Sequence, residues 1–291
     1  MPDATILRKT LRDLRWHIVG WGLGLATLAA ILVLLFPTIA EQFEGIELEN
    51  LGFGEIEDVS DPRQFLQLEF FTWSPILMTV FSIIVGGALL AAEEGRGTLE
   101  VLLSQPLSRR GLFLGKLAGA AIAVVVILAI AGIGFLLSAP LVDLKGEVTG
   151  GELAIAPFVL LPFAWFVIAA TVLAATLTPT RGRAAGLMTF GAAASYVLNI
   201  IAGLAESLSW LRFFSPYYYS DTQRVLTDGP VWQHQALLLV AATACVALAL
   251  VAFERREIGV GRSPLAALLG RERSAGGEAE AAPEPRPARQ P

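Results

Sequence analysis

Charge is what this sequence has least of. Of its 291 residues only 16% are Asp, Glu, Lys or Arg, against 55% hydrophobic. A soluble domain of this length needs more charge to solvate its surface. The few charges are also clustered. Six segments, 16–40, 70–92, 117–142, 153–180, 184–205 and 229–253, contain none. Crossing ~30 Å of hydrocarbon takes ~20 mostly apolar residues, and a charge at a helix centre costs roughly 2.5–3.5 kcal/mol on insertion scales. The sequence therefore predicts an all-α membrane protein with six transmembrane helices in a lipid bilayer, and it excludes a soluble enzyme.

Cysteine and histidine are almost as scarce. The single cysteine, Cys245, excludes an internal disulfide and any multi-cysteine metal site. It falls midway along the sixth segment, where it reads as a small apolar filler. The two histidines, His17 and His234, belong to opposite membrane faces, ~30 Å apart, and cannot share a metal, a haem or a catalytic dyad. No Gly-x-Ser-x-Gly or His-Glu-x-x-His string occurs. The stretch Gly111-Leu-Phe-Leu-Gly115-Lys116 superficially resembles a phosphate-binding loop. It is one residue short between its glycines, lacks the following Ser or Thr, and runs into a span. No catalytic, cofactor-binding or metal-binding residue is expected in this chain. Ion-coupled carriers and charged pores need ionisable groups at membrane depth, so energy for any transport is expected from elsewhere.

Basic residues are nearly missing from one side. Only Arg63, Lys145, Arg212 and Arg224 lie there, and the rest of the 21 Lys and Arg lie on the other. The positive-inside rule then puts both termini, the 93–116 loop and the short 179–183 turn in the cytoplasm. The net charge of −5 reflects acids gathered in the outer loops, mainly 41–69, and gives no reason to expect a nucleic-acid partner.

What is present divides the chain into three. Residues 1–15 read as a basic amphipathic interfacial helix, with Leu7, Leu11 and Leu14 on one face and Arg8, Lys9, Arg12 and Arg15 away from it, before the chain turns into the first span. A solvated extension is the alternative. The first segment is too long for a signal-peptide core and completes an even count of spans. Residues 16–257 form the six-span domain, and 258–291, rich in Ala, Glu, Pro, Arg and Gly, are expected to be largely disordered. Trp16 and Trp21 mark the inner headgroup level, and Trp73, Trp210 and Trp232 the outer one. The acidic 41–69 loop, with interleaved Phe43, Ile46, Leu48, Leu51 and Phe53, reads as a small surface cap. The aromatic run Ser209–Tyr219, broken by Pro216, fits either a re-entrant piece or an interfacial aromatic belt. Gly20, Gly22 and Gly24 in the first span and Ala184, Ala185, Gly186 and Gly191 to Ala194 in the fifth let helices approach closely, within the chain or across a dimer seam.

The most informative stretch is the loop between the second and third spans. Glu93 and Glu94 open it, Gly97 can break the preceding helix, and Thr98 starts a short helix that Pro106 stops. Leu99, Leu102 and Leu103 share one side of that helix. So short an apolar facet on the wet side of a membrane needs a cover, either the chain's own helix ends or a cytoplasmic partner. The run Glu93-Glu94-Gly95-Arg96-Gly97-Thr98-Leu99-Glu100-Val101-Leu102-Leu103-Ser104-Gln105-Pro106-Leu107-Ser108-Arg109-Arg110, ending in Gly115-Lys116, resembles the coupling loop of ABC-2 type transporter permeases. Weaker likenesses are the basic entry helix, the Ser-Pro-Tyr-Tyr segment, and Phe253 to Gly259 after the last span. Gly95 departs from the family, many of whose members carry a charge there. The Glu-Ala-Ala-x-x-x-Gly loop of ABC importers is not present, which favours the exporter branch.

The resemblance implies the permease subunit of an exporter in a prokaryotic plasma membrane. It implies a separate cytoplasmic ABC ATPase that binds ATP and Mg, and a second permease copy, identical or related. Residues Glu93, Glu94, Gly97, Thr98, Leu99, Glu100, Leu102, Leu103, Pro106, Ser108 and Arg109 would then form the ATPase-docking element. The second and fifth spans would line the path, and the first and fifth the dimer seam. A membrane scaffold that docks a cytoplasmic partner without transport is the alternative reading, and the transported substrate is not legible in the sequence.

Overall fold

The computed structural model describes residues 4–43, 60–94, 108–144, 148–178, 180–222 and 224–255, and every regular element among them is helical. The helices are α1 (Ala4–Phe43), α2 (Pro62–Leu66), α3 (Ser74–Glu94), α4 (Arg109–Ser138), α5 (Gly150–Ile155), α6 (Leu161–Leu177), α7 (Arg181–Leu204) and α8 (Trp232–Arg255). Six runs are long and apolar enough to cross a membrane: Thr5–Gln42, Pro62–Leu89, Arg109–Leu141, Gly150–Leu177, Arg181–Leu204 and Trp232–Arg255. The chain is a multi-pass membrane protein.

The charge-free windows mark where hydrocarbon would be, but the helices run past them. The expected turn between the basic segment and the first span is not there: α1 is one helix of 40 residues, carrying Pro37 within it. At ~1.5 Å per residue it is ~60 Å long, about twice the hydrocarbon thickness. Its basic part is held by Ile6, Thr10 and Leu14, which are buried. That stripe, spaced four apart, shares Leu14 with the expected Leu7–Leu11–Leu14 face, while Leu7 and Leu11 are only half-buried. The second span likewise starts early. Asp61 caps α2 by accepting the Arg63 N–H at 2.7 Å, and a π-helical turn, Gln67–Phe71, carries the chain on toward α3. Phe70 and Phe71 then pack on Phe135 near the end of α4, with ring centroids 4.8 and 6.3 Å apart.

Caps fix where the other helices begin. Ser108 accepts the Gly111 N–H at 3.0 Å ahead of α4. Thr149 and Glu152 form a reciprocal capping box ahead of α5, legible as Thr-x-x-Glu. Thr180 caps α7 through the Arg183 N–H. Between α5 and α6 the chain tightens to a 3-10 turn over Ala156–Leu160, which has Pro157 at its start; a proline ring supplies no amide donor and pre-sets φ.

Lipid offers no hydrophobic drive between helices, so close contact has to hold the bundle. α1 and α4 lie parallel: Thr10 sits against Gly119, Ile130 against Gly22, and the Ala26 carbonyl against Gly134. α3 and α6 are also parallel. Gly86 meets Thr171 and the Ile168 carbonyl, and the Ser82 hydroxyl donates to the Ala164 carbonyl at 3.3 Å. α6 packs in turn on α8. α7 stands at the edge, with only Ala184 and Ala202 buried along its 24 residues. Trp21 is partly buried and packs edge-on to Phe81 of α3 at 6.1 Å. Trp16, Trp73, Trp210 and Trp232 are exposed.

Candidate functional site at the two ends of the bundle

Two clusters of polar side chains hold the bundle, one at each end. At the end where the basic residues lie, α3 finishes and α4 begins. Glu93 and Glu94 form the last turn of α3, Ser108 caps α4, and Arg109 is the first residue of α4. Gly97, Thr98, Leu99, Glu100, Leu102, Leu103 and Pro106 lie outside the described residues, as does the short helix expected over them.

The frame of that loop is described, and it rests on the start of α4. Arg110 forms a two-pronged ion pair with Glu254 near the end of α8, Nη2 to Oε2 at 3.1 Å and Nε to Oε1. Directly below, Phe113 packs on Phe253 at 5.8 Å. Lys116 is buried, and its ammonium donates to the Leu89 carbonyl of α3 at 2.5 Å. One turn further, Gly119 admits Thr10 of α1. Lys116 therefore sits among buried neighbours just before the charge-free third window, and this inward position was not anticipated from the sequence. The sequence raised a phosphate-loop likeness at Lys116 only to reject it, and in the structure its ammonium donates to a helix carbonyl.

The opposite end is organised by Asp221, Tyr217 and Arg63. Asp221 has a left-handed backbone, φ 55°, and is the one non-glycine residue with positive φ among those described. Aspartate tolerates that region through its short polar side chain. Its carboxylate is buried and accepts from the Val231 N–H and the Gln235 amide, each at 3.1 Å, and meets His234 Nδ1 at 2.7 Å. These partners belong to the first turn of α8 and the residue before it, where the helix dipole favours an anion. The rings of Tyr218 and Tyr219 flank His234 at 5.0 and 5.1 Å. Tyr217 points inward instead. Its hydroxyl pairs with that of Thr79 at 3.0 Å, and its ring meets Phe163 of α6 and Tyr196 of α7 at 5.2 and 5.3 Å. Burial pushes the Tyr217 phenol pKa up, with the Thr79 hydrogen bond opposing in part, so the hydroxyl stays protonated and available as a donor. Arg63 donates to the Leu226 carbonyl at 2.6 Å and reaches Glu152 at 3.4 Å, while the Gln67 side chain accepts the Leu226 N–H at 3.0 Å.

In the aromatic run, residues Glu206–Phe214 form a 3-10 helix with none of its residues buried within the chain, and Trp210, Phe213 and Phe214 are exposed. Tyr217 and Asp221 are the inward anchors of the segment that follows. Sequence reasoning missed Asp221 altogether and considered His234 only as a partner for His17. The available signal was an isolated acid just after an aromatic cluster, thirteen residues ahead of a histidine at the mouth of a span.

The edge helix completes the picture. On α7 the glycines Gly182, Gly186, Gly191 and Gly203 have open space where a side chain would be, and Leu187, Phe190, Val197, Ile200 and Leu204 are exposed. On α1, Gly20 and Gly24 are open in the same way, whereas Gly22 is filled by Ile130 from within the chain. The small residues of the first span are thus divided between internal packing and an outward face.

No curated protein matches the chain. One family model does, and it covers residues 9–254, from the basic part of α1 to the last turn of α8. By that match the chain belongs to the family of the multidrug efflux system permease Rv1217c, C-terminal domain.

Proposed function

We propose that this chain is the membrane-spanning permease subunit of an ATP-powered exporter of the ABC-2 type, acting in multidrug efflux. The observation that carries the reading is the permease family match across residues 9–254, which encloses the whole 93–110 loop with its ABC-2 resemblance. The chain itself is not an enzyme in this reading. A separate cytoplasmic ABC ATPase binds ATP and Mg and hydrolyses the nucleotide. The basic end of the bundle faces the cytoplasm, in a prokaryotic plasma membrane, and residues 98–106 seat in a groove of that ATPase. Movement of the seated loop is passed to α3 and α4, between which it is strung.

A second permease copy completes the path. The outward glycines of α7 and α1 support a seam there, because small faces let two backbones approach closely. α3 and α7 then line the route. The Tyr217–Thr79 pair joins the outer segment to α3, and the Tyr196 contact joins it to α7, so that segment closes the route at its outer end. The efflux of varied drugs named for the family suits an apolar route whose interior side chains include few charges.

The test is to purify the permease from its own membranes, identify any ABC ATPase it retains, and measure ATP turnover and dye efflux with both in proteoliposomes. Efflux that depends on both subunits and on ATP supports the reading. A permease that binds an ATPase but moves nothing, across a panel of cationic and neutral dyes, would instead identify a docking scaffold.

A further inference from the structure

We infer that Lys116 is a positioning residue, whose buried ammonium ties α3 to α4 so that the two helices flanking the 95–107 loop move as one body. This deepens the exporter reading and rests on it for the transport arm of its test. Lys116 is 7% exposed, with Leu112, Phe113 and Leu117 buried around it on the same helix. Its Nζ lies 2.5 Å from the Leu89 carbonyl oxygen. A buried ammonium is costly unless it is hydrogen-bonded, and the Leu89 carbonyl supplies a partner. A lysine suits the task because a compact charge on a flexible four-carbon stem can reach across from one helix to a backbone oxygen on the next.

The placement gives the tie a mechanical meaning. Within three turns, α4 is gripped by α8 through Arg110–Glu254 and Phe113–Phe253, by α3 through Lys116, and by α1 through the Thr10–Gly119 contact. A push on the loop arrives at α4 from one side and at α3 from the other. With Lys116 bonded to Leu89 the two helices answer together, and the push reaches α1 and α8 as well. Without it, α3 can slide on α4 and the stroke is spent locally.

The test compares Lys116→Met, which keeps the stem and removes charge and donors, with Lys116→Arg, which keeps both, in the full permease–ATPase complex carrying Cys245→Ala. Spin labels at positions 84 and 114, exposed on α3 and α4 and outside the docking residues, report the separation of the two helices. Lys116→Met is expected to broaden that distance distribution and to lower dye efflux per ATP hydrolysed at least tenfold, at unchanged ATPase copurification. Lys116→Arg is expected to keep the wild-type distribution and efflux within threefold. A wild-type distribution in Lys116→Met, or equal losses in Met and Arg variants, overturns the inference while leaving the exporter reading standing. If the wild type neither retains an ATPase nor moves dye, the exporter reading falls, and the spin-label comparison alone decides whether the tie exists.

Discussion

The side chain that Gly134 lacks would begin 2.5 Å from the carbonyl oxygen of Ala26. The obstruction is backbone on α1, not the flexible tip of a side chain, so α1 and α4 can lie this close only with glycine at 134. Gly134→Ala should force the two helices apart, at the cost of about 1–3 kcal/mol typical of overpacking. It should be read as a lowered melting temperature in detergent. Gly191→Ala, at an open position on α7, should leave the monomer's melting unchanged or slightly raised, because alanine gains up to ~1 kcal/mol of helix propensity over glycine. Equal effects at the two positions would mean that the α1–α4 approach is not as close as described.

Asp221 gathers three donors from the entry to α8. Asp221→Ala leaves a buried amide and a backbone N–H without acceptors, and each such loss costs about 1–3 kcal/mol. Asp221→Asn keeps one acceptor oxygen and tolerates the left-handed backbone, so it should cost less. Thermal unfolding of the two variants, with His234→Ala alongside, checks the order. An alanine variant as stable as wild type would remove Asp221 as the anchor of the segment between α7 and α8.

Membrane orientation can be read by thiol labelling in a Cys245→Ala background. Ser220 looks suitable from the sequence, but it is 1% exposed, so Thr227, in an exposed turn, is the better reporter. A cysteine at Thr227 should react with an impermeant maleimide in intact cells, and one at Ser108, also exposed, should react only in inverted vesicles. The opposite pattern would reverse the orientation proposed from the basic residues.

The docking loop is tested by Leu102→Asp and Gly97→Pro. Seating a leucine in a partner groove contributes roughly 1.5–3 kcal/mol, and a carboxylate there adds a desolvation cost. Proline at 97 fixes φ near −65°. Both variants should insert normally, because neither lies in a span, and should lose most of the substrate-stimulated ATP turnover at matched membrane levels. Normal turnover in both would remove residues 98–106 as the coupling element.

The number of spans was legible because the cost of burying charge acts residue by residue along the chain: six charge-free windows could be counted without knowing any contact. The basic-residue asymmetry was legible for the same reason, since it too can be counted along the chain without knowing any contact. The run of the first helix was not. Whether the chain turns after residue 15 depends on what lies beside Ile6, Thr10 and Leu14, and the neighbour of Thr10, Gly119 of α4, is more than 100 residues away. Periodicity alone chose the Leu7–Leu11–Leu14 face, which shares Leu14 with the buried stripe but misses Ile6 and Thr10. Tertiary structure also decided which glycines are filled and which are open, and it placed Lys116 inside and Asp221 under the aromatic segment. Those outcomes rest on pairs of groups distant in sequence, where a buried charge is tolerated only because a specific carbonyl or amide stands opposite it.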